Sequence, residues 1–386
     1  MKNLPLDSKL NVEQMFSKNI ISANIVGACF ALLLITGVLT TAVALSTDRL
    51  TLLPPTLNWT SFIQGEISQK IVIALREAPV PKTLANTERG VSWVLAGDLG
   101  PRVRQGEANW LYLNDELVVN KNALANEDIR AKEIIKVRDI LANKGIELLV
   151  LVVPDKSRIE SSHLGRLQRS TAFSNRTSRW INNLLGANIE FVDFTGLLAN
   201  LKASGVETFL RTDSHWAEQG AEAAAILTAS KIKQLSISPT PVQLTEVTKL
   251  ALMPRPGDLV RLAGVDWLPS SLQPLPENVQ QSSFRVISSA NATSTVTADD
   301  LFGDADLPNI ALIGTSFSRT SHFVPFLEHH LQAKIGNFAK DGGNFAGAAK
   351  AYFKSPSFIN TPPKLVIWEI PERVLQSPVI DEKIEL

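Results

Sequence analysis

The segment "RTDSHWAEQG", residues 211 to 220, places a carboxylate, a hydroxyl, an imidazole and an indole in the consecutive positions Asp213 to Trp216. The chain has only 5 histidines, so few groups other than His215 can act as a base near neutral pH. Asp213, two residues earlier, can reach the same side of an extended or turning segment and set the imidazole tautomer. Much later, "NIALIGTSFS" runs an apolar strand into Gly314-Thr315-Ser316. A serine at the carboxyl end of a parallel strand, beside free backbone N–H groups, lies where open α/β sheets bind ligands. Its hydroxyl becomes a nucleophile once a base removes the proton, and the N–H groups are placed to meet an oxyanion. Asp213, His215 and Ser316 thus have the residue types of acyl-transfer chemistry. Each stretch alone also has a plainer reading, Gly-Thr-Ser as a helix N-cap and Asp-Ser-His as a capped turn.

Competing chemistries are thinly represented. His163 falls in a loop, while His322, His329 and His330 flank or occupy a predicted helix. Adjacent His329 and His330 would diverge by about 100° on a helix, so no metal site is assigned there. The single cysteine, Cys29, lies inside an apolar run, which excludes a thiol nucleophile, a disulfide framework and a cysteine-based metal site from the remainder. With 38 basic and 38 acidic residues the net charge is zero, which argues against nucleic acid as a partner.

The apolar run is "IISANIVGACFALLLITGVLTTAVAL", residues 20 to 45, without a charge. A bilayer-spanning helix needs about 20 such residues. Lys2, Lys9 and Lys18 precede it, so the expected topology is a cytoplasmic segment 1–19, a signal anchor 20–45 and an exported remainder. Ala42-Val43-Ala44 resembles a cleavage site, and the competing reading is a removable signal peptide. Residues 46–90 read as a stem, with Pro54-Pro55, Pro79 and Pro81 bracketing a short amphipathic helix.

Residues 91–386 carry the α/β pattern. "NEDIRAKEIIKVRDILANKG" is spaced as a helix, and "IELLVLVVP" is a continuous apolar run of buried-strand length. A helix around Thr171 to Leu185, the strand "IEFVDF" and the helix "AEQGAEAAAILTASKIKQL" follow. Residues 236–300 are rich in proline without a long period and form an expected strand-and-loop insertion. The alternation returns through "NIALIG", a helix over Phe323 to Gln332, "KIGNFA", a helix over Phe345 to Phe353, and "PKLVIWEIP". The fold class is α/β, a mostly parallel sheet flanked by helices.

"TDSHWAEQGA" and "ALIGTSFS", in that order, resemble the two signature segments of the alginate O-acetyltransferase family of AlgJ and AlgX. "VRQGEANWLYL", "VVPDKSRI", "PGDLVRL", "LFGDADLPNIALIGTSFS", "NFAKDGGNFAGA" and "WEIPERVL" are similar to further family segments, so the likeness spans roughly residues 55 to 375. It implies an SGNH-hydrolase-like domain in which Ser316 carries acetyl as an ester, His215 activates a sugar hydroxyl and Asp213 supports His215. Gly343 and Asn344, in the glycine-rich turn, become candidates for the oxyanion hole. Asn344 also reads as an ordinary turn residue.

Arg373 could contact a carboxylated polymer, or pair with Glu369 or Glu372. Lys156 and Arg211 are exposed-loop candidates for attracting a uronate chain. Trp110, Trp216 and Trp368 are candidate sugar-stacking residues, Trp216 first among them, against a default of buried packing. Eleven residues follow "WEIPERVL", so no AlgX-type carbohydrate-binding module is expected and the layout is closest to AlgJ. The resemblance implies an inner-membrane enzyme with a periplasmic catalytic domain and no cofactor. Its implied partners are a polysaccharide acceptor, a membrane-bound acyltransferase supplying acetyl groups, and other export components. An acetyl esterase or an acetyl-relay component serving another polymer, such as cellulose, stays open, because the same three residues serve water and sugar alike.

Overall fold

The structure is a computed structural model that describes residues 6–53, 59–63, 65–242, 245–286 and 307–386. Pro54-Pro55, residues 287–300 of the Pro-rich insertion and the 301–306 part of the lead-in to "NIALIG" lie outside the described residues. The chain forms two compact units, Met1–Asp98 and Leu99–Leu386.

The first unit contains α1 (Leu6–Ser46), α2 (Trp59–Ile63), α3 (Glu66–Glu77) and α4 (Pro79–Ala96). Within α1, Ala23–Ser46 is long and apolar enough to cross a membrane, a property shared by signal anchors and signal sequences. The expected end of the stem at residue 90 falls inside α4. Pro79 bounds α3, which ends at Glu77, and also opens α4 at its first helical position, where its missing N–H has no partner to lose. Gly97, in the left-handed region at φ 66, ends that helix.

The second unit opens with an antiparallel pair, β1 (Val103–Gln105) and β2 (Leu111–Leu113). Next come α5 (Ala123–Asn143), β3 (Glu147–Val153), α6 (Lys156–Ile159), α7 (Arg176–Gly186), β4 (Glu190–Asp193), α8 (Thr195–Ala203) and α9 (Glu218–Gln234). The described part of the insertion is a hairpin of β5 (Thr245–Arg255) and β6 (Glu277–Val286), with α10 (Asp258–Leu262) between its strands. The chain closes with β7 (Ile310–Ile313), α11 (Phe323–Leu331), β8 (Gly336–Asn337), α12 (Gly347–Phe353), α13 (Pro356–Asn360) and β9 (Leu365–Pro371).

Five strands form one sheet in the order β4-β3-β9-β7-β8, every pairing parallel. Side chains alternate across a strand, so each apolar run feeds two cores. Leu149, Leu151, Ile310, Leu312 and Ile367 join α9 and α11 on one face, where Ala221, Ala224 and Ala225 let α9 approach closely. Leu148, Val150, Ala311, Val366 and Trp368 join α5, α7 and α12 on the other. Burying one large apolar side chain contributes ~1.5–3 kcal/mol. A one-residue slip would exchange the two faces, which fixes the register.

β3 and β9 are also tied by charge where they end. Asp155 and Glu372 are buried. Arg169 lies 3.2 Å from Asp155 and 2.6 Å from Glu372, Arg158 lies 2.5 Å from Glu372, and Arg176 pairs with both carboxylates. Burial alone would raise Glu372, yet the Arg158 hydrogen bond and the Arg176 and Arg169 charges hold it down to about 2. Burial and the Glu372 charge push Asp155 up.

Breaking such a cluster strands buried charge. Arg176→Met is therefore expected to cost about 3–5 kcal/mol, measured as the urea unfolding midpoint of the full chain in detergent. Glu372 is depressed on folding, so its contribution is complete above an unfolded-chain value near 4.5 and fades as pH falls toward about 2. The stability gap between wild type and Glu372→Gln at pH 7 closes over that interval.

Candidate active site

Parallel pairing brings the carboxyl ends of β3, β9 and β7 to one edge of the sheet, and β7 delivers Ser316 there. Gly314 makes the exit possible: a Cβ at this position would stand 2.6 Å from Glu369 Oε2. Glu369, on β9, then braces the turn. It accepts the Thr315 N–H at 2.6 Å, the Thr315 hydroxyl at 3.0 Å and the Ser318 hydroxyl at 3.1 Å. Burial raises the Glu369 carboxyl, and those donors oppose the rise. Ser316 begins a short 3-10 turn, Ser316–Arg319, ahead of α11. Its side chain remains half-buried and reachable.

His215 comes from the loop between α8 and α9. A bridge between Phe209 and Trp216 closes that loop, and Lys156 fills it. Lys156 Nζ donates to Leu111 O at 2.6 Å, Arg211 O at 2.8 Å and Asp213 O at 2.9 Å. His215 Nδ1 lies 2.6 Å from Asp213 Oδ1, and its Nε2 lies 2.6 Å from Ser316 Oγ. With the proton on Nδ1 facing the carboxylate, the Nε2 lone pair faces the serine hydroxyl. Burial would raise Asp213, but the His215 hydrogen bond and charge and the Arg255 charge outweigh it, holding Asp213 well below the usual carboxylate range.

Ser316 opens into a groove of about 570 Å³. Arg102, Arg255, Arg261, Arg319 and Arg373 line it, with Asp115, Asp213, Asp258 and Asp341. Arg373 places its guanidinium 5.2 Å from the centre of the Phe317 ring. Its Nη1 is buried without a hydrogen-bond partner, and its charge acts on Glu369, opposing the rise that burial causes there. Those carboxylates are committed to the Ser316 turn and to Arg158, Arg169 and Arg176.

Several sequence-based assignments need correction. Trp216 is fully buried against Phe194, Phe317 and Phe323, so no sugar can reach the ring. Trp368 is buried beside Phe345, and half-buried Trp110 is stacked on His163 at 4.5 Å. Lys156 is 1% exposed, and burial pulls its ammonium down to about 8 against the pull of neighbouring carboxylates. It holds the loop together and cannot attract a polymer. Arg211 is turned away, with Nη2 on Leu275 O at 3.1 Å. Gly343 already gives its N–H to Lys340 O at 3.0 Å, and with Asn344 it lines a separate depression with Lys350 and Asp381. The groove takes Asp341 and Gly342 from that turn instead.

Sequence reasoning gave no site role to Arg255, Asp258 and Glu277, and considered Glu369 only as a partner of Arg373. Glu369 was hidden in an apolar strand, and the other three in the insertion. Glu277 accepts the Thr212 N–H at 2.7 Å and its hydroxyl at 2.9 Å. Asp258 is pushed up by burial and by the Asp213 charge, against the influence of His215 and Ser214. Asp213, His215 and Asp258 offer three metal-ligating atoms within 4.8 Å of one another. Those atoms hydrogen-bond within the loop, and the Arg255 guanidinium lies 3.4 Å from Asp213 Oδ2, an arrangement suited to moving a proton.

The family described as SGNH hydrolase-like domain, acetyltransferase AlgX, matches residues 103–372. A probable alginate O-acetylase AlgJ of Pseudomonas putida is 31% identical over 303 residues, 78% of this chain and 77% of that protein. The alginate biosynthesis protein AlgX of Pseudomonas aeruginosa is 28% identical over 60% of this chain and 48% of its own. The solved O-acetyltransferase domain of Pseudomonas putida AlgJ superposes with a TM-score of 0.61 at 27% identity, covering 74% of this chain and 96% of that domain. The Pseudomonas aeruginosa AlgX structure gives 0.52 at 26% identity, covering 70% and 62%. The family match, the relatives and the superposition agree: the chain belongs to the SGNH hydrolase-like AlgX acetyltransferase family and is an acyltransferase.

Proposed function

We propose that the chain moves acetyl groups onto hydroxyls of an exported polysaccharide, alginate first among them, through an acetyl ester on Ser316. The carrying observation is the unbroken chain from Ser316 Oγ to His215 Nε2 at 2.6 Å and from His215 Nδ1 to Asp213 Oδ1 at 2.6 Å. His215 takes the Ser316 proton as the oxygen attacks the acetyl carbonyl of a donor ester. The collapsing intermediate expels the donor alcohol, which leaves with that proton. A sugar hydroxyl then attacks acetyl-Ser316, giving its proton to His215, which returns it to Ser316 Oγ. Asp213 stays ionised and holds the imidazolium in place.

The relatives named as alginate O-acetylases support a uronate polymer as acceptor, and the groove suits one. Asp213 and Asp258 are occupied within the triad loop, which leaves the outer wall to its arginines with Asp115 and Asp341. Local charge would then do what a net charge of zero cannot. The span in α1 supports an inner-membrane anchor with the catalytic unit outside, in the periplasm. Acetyl must then be handed across by a membrane-bound acyltransferase within a larger export assembly. An acetyl esterase is the second reading, because the groove that admits a sugar also admits water.

Full-length protein offered p-nitrophenyl acetate with oligomannuronate is expected to yield acetylated oligomer. Ser316→Ala should lower that yield by about 10³-fold or more. Free acetate produced at the same rate with and without oligomer favours the esterase, and turnover untouched by Ser316→Ala removes the triad. Salt discriminates the acceptor. Raising it from about 50 to 500 mM shortens the screening length, so KM for oligomannuronate is expected to rise severalfold while KM for a neutral oligosaccharide stays level.

A further inference from the structure

The Pro-rich insertion reaches the triad, and we propose that its Asp258 is a positioning residue for acyl transfer. It locks the Asp213–Ser214 peptide and places a second carboxylate beside the imidazole, so that positive charge on His215 is met by two acids. The inference rests on the reading of Ser316, His215 and Asp213 as the reacting set.

The insertion grips the triad loop at both ends. Glu277 holds the backbone N–H of Arg211 and Thr212. At the other end, Gly257 lies so close to the loop that a Cβ would stand 1.9 Å from Thr212 O. This approach lets Leu259 N–H donate to Thr212 O at 3.3 Å and Asp258 N–H donate to Asp213 Oδ2 at 3.3 Å. Both oxygens of Asp258 are then taken by the residue between Asp213 and His215. Oδ1 accepts the Ser214 N–H at 2.6 Å, and Oδ2 accepts the Ser214 hydroxyl at 2.6 Å. Oδ2 is also 3.7 Å from His215 Nδ1.

Other charges face this pair from several elements. Arg255, ending β5, lies 3.4 Å from Asp213 Oδ2, and Lys156 reaches the Asp213 carbonyl from α6. Arg261, on the same helix as Asp258, also lines the groove. The rest come from around the rim: Arg102 and Asp115 beside β1 and β2, Arg319 and Asp341 after β7, and Arg373 after β9. When the Ser316 proton moves to His215 Nε2, the imidazolium gains Asp213 at 2.6 Å and Asp258 at 3.7 Å. Asp258 itself takes no proton in the step.

Charge and geometry separate in Asp258→Asn, since an amide oxygen still accepts the Ser214 N–H. The experiment follows p-nitrophenyl acetate hydrolysis by the full chain in detergent from pH 5 to 9, for wild type, Asp258→Asn, Asp258→Glu and Ser316→Ala. Losing the carboxylate favours neutral imidazole, so Asp258→Asn is expected to lower kcat about tenfold and to move the acid limb of kcat/KM about one pH unit lower. Asp258→Glu returns the limb toward its wild-type position even where kcat stays reduced. A purely structural role would lower activity and the thermal midpoint and leave the limb in place, and that result overturns the proposal. Loss of activity in Ser316→Ala with an unmoved limb in Asp258→Asn rejects this role alone. Hydrolysis that survives Ser316→Ala rejects the triad reading and this role with it.

Discussion

A carboxylate taken out of water has to be met by donors, and that requirement shapes the loops around Ser316. Asp155, Asp213, Glu369 and Glu372 are all buried near the carboxyl edge of one parallel sheet. Each is answered differently. Glu369 draws in the Thr315 and Ser318 donors and so bends the chain into the turn that presents Ser316. Glu372 and Asp155 collect three arginines and tie β9 to β3. Asp213 is answered by His215 and Arg255, and that choice orients the imidazole. Local conformation and acid–base chemistry are set by the same contacts.

The Pro-rich insertion changes meaning in this light. Its composition suggests a loop-rich addition to an α/β core, yet its hairpin carries Glu277, Arg255 and Asp258 onto the loop that holds His215. The core sheet supplies Ser316, and the insertion braces the loop bearing Asp213 and His215. The sheet edge places Ser316, and the packed hairpin steadies the loop of His215. This division holds Ser316 and His215 in register while leaving a broad groove open beside them.

Where sequence reading and structure part, the cause is the contacts a residue makes once the chain has folded, near or far in sequence. Lys156 reads as a surface charge until three carbonyls, from Leu111, Arg211 and Asp213, converge on its ammonium. Trp216 adjoins His215 in sequence, yet successive side chains point apart, and the indole goes into the core. Gly343 and Asn344 sit in the expected turn, but a hydrogen bond to Lys340 O uses the Gly343 N–H.

The sequence by itself determined the helix–strand alternation, the apolar span, and the residue types of Asp213, His215 and Ser316. These are local properties, carried by periodicity and by motifs a few residues long. Only the tertiary structure decided that β9, last in the chain, sits at the centre of the sheet and brings Glu369 to the Ser316 turn. It alone brought Asp258 to the Asp213–Ser214 peptide and Arg373 to the groove. Burial and hydrogen bonding between segments dozens of residues apart depend on how the two faces of the sheet are covered, and no window of sequence contains that information.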